Sequence, residues 1–80
     1  MTSKFYIVTR VVNRIITVRV FPCFAEALKT IKEEFFHALE LENLTDEDRE
    51  DFCLEKKQAW IRGRISEWDW QIDYKEVNYG

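Results

Sequence analysis

Cys23, Cys53 and His37 are the residues of this 80-residue sequence best suited to redox, metal or nucleophilic chemistry, and their spacing argues against each. Two cysteines thirty positions apart make neither a disulfide-dense scaffold nor the close ligand pairs of a zinc knuckle. Cys23 follows Pro22 where a helix is expected to begin, and a helix N-terminus lowers a thiol pKa. The plainer role for it is a small capping or buried residue. His37 stands four residues after Glu33 and three before Glu40, which on a helix is a solvated, carboxylate-flanked face. Ser3 and Ser66 are the only serines, and there is no Gly-rich phosphate loop, HExxH or GxSxG. Carboxylates are plentiful, but an acid/base pair needs one of them in an apolar pocket, which no spacing here specifies. The expectation is a non-enzymatic protein with no catalytic residue, no metal and no cofactor.

The elements that would position a binding surface are legible as periodicities. Residues 5–12 and 15–21 are rich in β-branched and aromatic types, and Asn13-Arg14 suits a two-residue hairpin turn. This pairing predicts a core face of Phe5, Ile7, Thr9, Val11, Ile16, Val18 and Val20. The opposite face carries Tyr6, Val8, Arg10, Val12, Ile15, Thr17, Arg19 and Phe21 and is a candidate contact surface. After Pro22 the period becomes helical, with Phe24, Leu28, Ile31, Phe35 and Leu39 on one stripe. Thr45 with Asp48 resembles a helix N-cap, predicting a short second helix over 46–56, although Phe52 onward also reads as the start of a strand. Residues 58–65 and 68–77 give two more strands, the second with Trp68, Trp70, Ile72 and Tyr74 alternating with Asp69, Gln71, Asp73 and Lys75. The predicted fold is α+β: one domain over 1–80, a four-stranded antiparallel sheet in ββααββ order, with one long and one short helix on one face.

Composition is that of a compact domain: 46% hydrophobic, 15% aromatic, with two glycines and one proline. No run approaches the length of a membrane span and the N-terminus lacks a signal-peptide pattern, so a cytoplasmic protein without membrane association is expected. Net charge is −3, unevenly spread: +4 over residues 1–25, −8 over 26–55 and +1 over 56–80.

That distribution yields two candidate surfaces. Glu42, Asp46, Glu47, Asp48, Glu50 and Asp51 form an acidic surface suited to a protein partner such as a basic nucleic-acid-binding enzyme, whose groove carboxylates could occupy. The alternative is Tyr6, Arg10, Arg19 and Phe21 on the hairpin, where aromatics would stack on bases and arginines meet phosphates. Few cations and an acidic total weaken the nucleic-acid reading. A homodimer through the semi-apolar hairpin face is a third expectation. Trp60 and Trp68 fit either core or contact positions.

The C-terminal Ala59-Trp60-Ile61 followed by Asp69-Trp70-Gln71-Ile72, with Glu26-Ala27 in the helix after the hairpin, resembles small uncharacterised proteins of Firmicutes genomes, phages and mobile elements. The resemblance implies a bacterial or phage cytosol and brings no functional residue with it. Together the readings favour a small protein-binding module, with inhibition of a host nucleic-acid-handling enzyme as its sharpest form.

Overall fold

The β-branched hairpin and the alternating C-terminal strand meet side by side in the middle of one sheet. A computed structural model describes residues 1–78. Its elements are β1 (Thr2–Val12), β2 (Ile15–Phe21), α1 (Phe24–Leu41), a 3-10 helix (Asp46–Asp51), β3 (Phe52–Leu54), β4 (Gln58–Arg62) and β5 (Glu67–Asn78). The sheet order is β2-β1-β5-β4-β3, antiparallel throughout. At one end, Thr2–Phe5 pair only with Lys75–Asn78, a two-stranded ribbon that contributes to an elongated outline of 51 × 23 × 16 Å. No helix among the described residues is long and apolar enough to cross a membrane.

This α+β sheet has five strands and one main helix, which corrects the expected four-stranded ββααββ layout. The capping box of Thr45 and Asp48 forms, but it starts one short 3-10 helix rather than a helix over 46–56. Phe52 and Leu54 alternate with Cys53, so the segment pairs with β4 and sends its two large side chains to the core, which a helix there could not do.

The expected sheet faces are also exchanged. The helix covers Val8 and the buried Ala59, Ile61, Trp70 and Ile72, with Tyr6, Phe21, Phe52, Leu54 and Trp68 packed around them. From α1 come Ala27, Ile31, Phe35 and Ala38. Phe35 is the hub, its ring 5.9 Å from Trp70 and 6.0 Å from Phe52, both edge-on. Burying each such large side chain is worth about 1.5–3 kcal/mol. Ile16, Val18 and Val20, expected in the core, are instead 65%, 58% and 59% exposed on the sheet's other face.

Two backbone devices hold the frame. Asn13 and Arg14 close the β1–β2 hairpin with φ of 49° and 73°, as a two-residue turn of the primed kind requires. At the end of α1, Asn43 takes φ 54°, its N–H bonds Glu40 O, and the Leu44 N–H bonds Leu39 O, closing the helix in a Schellman motif.

Candidate interaction surface

Arg10 and Arg19, proposed above as free cations, lie under the helix. Residues of even number on β1 and odd number on β2 share the covered face, so both arginines point towards α1. Glu34 meets them there: Arg10 Nη1 reaches Glu34 Oε2 at 3.3 Å, Arg19 Nη2 bonds Glu34 Oε1, and the Trp70 indole donates to the same oxygen at 3.1 Å. The carboxylate thus accepts from three donors and offsets one of the two positive charges that a nucleic-acid face would use. Tyr6 and Phe21 are occupied too. Tyr6 packs between Phe24 at 5.8 Å and Tyr74 at 5.4 Å, and Phe21 lies against the core.

Glu42 belongs to no surface. It is 3% exposed and clasps the β4–β5 turn, accepting from the Ile65 N–H at 2.7 Å, the Ser66 N–H at 2.9 Å and the Trp68 indole at 3.2 Å. Burial pushes its carboxyl up, but the bonds from Ile65, Trp68, Ser66 and the Arg64 backbone outweigh it, and the group ends below the ordinary glutamate range. Gly63 is required by this clasp, since a Cβ there would overlap the Glu42 carboxyl.

The remaining acidic positions stay together on the 3-10 helix. Asp48 is spent on the cap, accepting from the Thr45 N–H at 2.9 Å, and lies 4.0 Å from Arg64 Nη2. Asp46, Glu47 and Glu50 are exposed and Asp51 is half-buried. The two cysteines are free: Cys23 is exposed at the start of α1, and Cys53 is half-buried. Burial and then the Glu55 carboxylate push the Cys53 thiol up. His37 is exposed on α1, and no group of three metal-binding side chains occurs among the described residues.

The helix-free sheet face is the feature that the sequence reading placed inside. Register puts Ile16, Val18 and Val20 of β2 beside Val11, Thr9 and Ile7 of β1, with Phe5 further along. The next strand changes character: Val11, Thr9, Ile7 and Phe5 stand opposite Asp69, Gln71, Asp73 and Lys75 of β5. Beyond them Trp60 of β4 lies half-buried, with the Arg62 guanidinium 5.1 Å over its ring. Of the two tryptophans in question, Trp68 is therefore a core-face residue, stacked on Trp70 at 5.7 Å, and Trp60 a residue of the open face.

Comparison with known proteins gives no match to a family model, a curated protein or a solved structure. The site rests on its own geometry.

Glu34 is the residue whose role the sequence reading missed, and a signal for it exists. The buried α1 positions Ala27, Ile31 and Ala38 are joined by Glu34 at spacings of four, three and four, so a carboxylate stands where the stripe calls for an apolar residue. Such a position demands cations opposite, and Arg10 and Arg19 of the hairpin strands supply them.

Proposed function

We propose that this protein is a non-enzymatic protein-binding module that docks an apolar protein surface on its helix-free sheet face. The observation that carries this reading is the exposure of Ile16, Val18 and Val20, each more than half open to solvent, beside Phe5, Ile7 and Val11 on one continuous face. Contiguous apolar area of this kind, rimmed by polar residues, marks interaction surfaces. Asp69 and Asp73 stand along its rim with Lys75, a mixed charge pattern that suits a protein surface better than a phosphate backbone. Glu34 supports the same choice by occupying Arg10 and Arg19.

A second reading rests on the acidic 3-10 helix. Its capping box fixes the backbone, so Asp46, Glu47 and Glu50 are presented on a pre-ordered turn to a basic protein surface such as the groove of a nucleic-acid-handling enzyme.

One experiment separates the two. Tagged wild type, Val18→Asp/Val20→Asp, and Asp46→Asn/Glu47→Gln/Glu50→Gln are immobilised, and proteins they retain from nuclease-treated bacterial lysate are compared at low and high salt. A partner lost with the Val18/Val20 variant and retained at high salt supports the sheet face. A partner lost with the amide variant and at high salt supports the acidic turn and overturns the sheet-face reading. Circular dichroism checks that both variants keep the wild-type fold, as expected for exposed positions.

A further inference from the structure

The two edges of the sheet are protected very differently. β3 has three residues and is bounded by the acidic 3-10 helix on one side and the Glu55–Lys57 turn on the other. β2 has seven residues, an unbroken register with β1, no proline, no lysine and no bulge. Its one charge, Arg19, is turned under α1 and held by Glu34. Natural sheets blunt long edges with such devices, and an edge lacking them is a template for another strand.

The orientation of that edge follows from the turn. In a two-residue hairpin the flanking residues, here Val12 and Ile15, exchange both hydrogen bonds, and bonded pairs then alternate along the ladder. Ile15, Thr17, Arg19 and Phe21 therefore spend their backbone groups on β1, while Ile16, Val18 and Val20 turn theirs outward. The far side of β1 agrees. The Asn13 N–H donates to Glu67 O at 3.2 Å, so odd-numbered β1 residues face β5 and even-numbered ones face β2. The open edge thus presents three N–H and three C=O groups, on the residues whose side chains form the exposed apolar row.

We propose that β2 pairs antiparallel with β2 of a second copy of this chain about a two-fold axis at Val18, joining two sheets into one of ten strands. The pairing uses the edge of the sheet and leaves its apolar face open, so it goes beyond the sheet-face reading above and is tested separately from it. In this register Val18 bonds Val18 of the second copy, and Ile16 bonds Val20 at both ends. Six hydrogen bonds use every outward backbone group of both edges, and the apolar rows run on without a break. On the helix side, Arg19 stands opposite Thr17 and Ile15 opposite Phe21, so no like charges meet. An axis at Arg19 would oppose the two arginines, and one at Thr17 would leave both backbone groups of Val20 unpaired.

Amide exchange followed by NMR at low and high protein concentration, with sedimentation on the same samples, tests this directly. The expected result is that the N–H groups of Ile16, Val18 and Val20 slow at least about tenfold as dimer forms, while those of Thr17 and Arg19 are protected throughout. Val18→Pro removes the central outward donor at a position where an edge strand tolerates proline, and is expected to be a folded monomer, whereas Val18→Ser keeps the donor and dimerises. A dimer in which Ile16, Val18 and Val20 still exchange fast overturns the edge pairing but leaves the sheet-face reading standing. A monomer at every concentration overturns the edge pairing, while the sheet-face reading is decided by the capture experiment.

Discussion

The two faces of the N-terminal hairpin are built from the same two strands, and the less apolar one is covered. Towards the helix point Arg10, Thr17 and Arg19 among Tyr6, Val8 and Phe21; away from it point Ile16, Val18, Val20, Ile7 and Val11. What decides burial is the element that arrives. α1 brings Phe35 and Ile31 for the apolar positions and Glu34 for the arginines, so every strong polar demand of that face is met except Arg10 Nε and Arg19 Nε, which are buried without a partner. The other face, apolar except for the uncharged Thr9, imposes no such demand, and it remains open for something outside the described fold.

The largest expected effect comes from removing the carboxylate that makes the covered face possible. Glu34→Leu leaves two guanidiniums, 30% and 35% exposed, and the Trp70 indole without their acceptor. Breaking a fully buried pair costs 3–5 kcal/mol, and partial solvation lowers that here to about 2–4 kcal/mol. Urea denaturation measures it. Adding Arg10→Met and Arg19→Met to Glu34→Leu should recover most of the loss, because the need for an acceptor disappears with the cations. An unchanged midpoint for Glu34→Leu alone would mean that helix packing, and not charge pairing, selects the covered face.

A matched pair of truncations sharpens the same contrast at smaller cost. Val8 is fully buried and Val18 is 58% exposed, on adjacent strands and opposite faces. Val8→Ala should cost about 2 kcal/mol, and Val18→Ala under about 0.5 kcal/mol, measured at protein concentrations low enough to keep the chain monomeric. Equal costs would show that the helix-free face is covered within a single chain.

These contrasts also explain how far the sequence could be read. The hairpin, its turn, the long helix and the C-terminal strand follow from periodicity and turn chemistry, because each is decided by residues close in sequence. Three features are decided elsewhere. β3 exists because β4 offers Phe52–Leu54 a pairing edge, which overrides a weak helical pattern. Glu42 sits in an acidic stretch and is spent inside the molecule, on backbone donors more than twenty residues away. The sheet faces were exchanged because counting apolar residues ignores the possibility that two cations share one carboxylate. Of the candidate contact residues, Asp46, Glu47 and Glu50 are exposed on the acidic turn, whereas Arg10 and Arg19 are committed to Glu34.

The smallest expected effect has the opposite sign and concerns the turn that sets which residues share a face. Arg14 holds φ at 73°, where a side chain is disfavoured and glycine is at ease. Its neighbour Asn13 occupies the same region but is tied down: Asn13 Oδ1 accepts from the Glu67 N–H at 3.1 Å, and Asn13 Nδ2 donates to Ser66 Oγ at 2.9 Å. Arg14→Gly relieves the backbone at the expense of some unfolded-state entropy, so it should stabilise by about 0.5 kcal/mol. Asn13→Gly would lose both anchoring bonds and should destabilise by about 1 kcal/mol, although the turn geometry suits it equally well. Because a two-residue turn fixes the β1–β2 register, a stabilised Arg14→Gly with unchanged exposure of Ile16 and Val18 would show that strain in the loop is not what holds the apolar row outward. A destabilised one would place Arg14 in contacts that the strand register alone does not require.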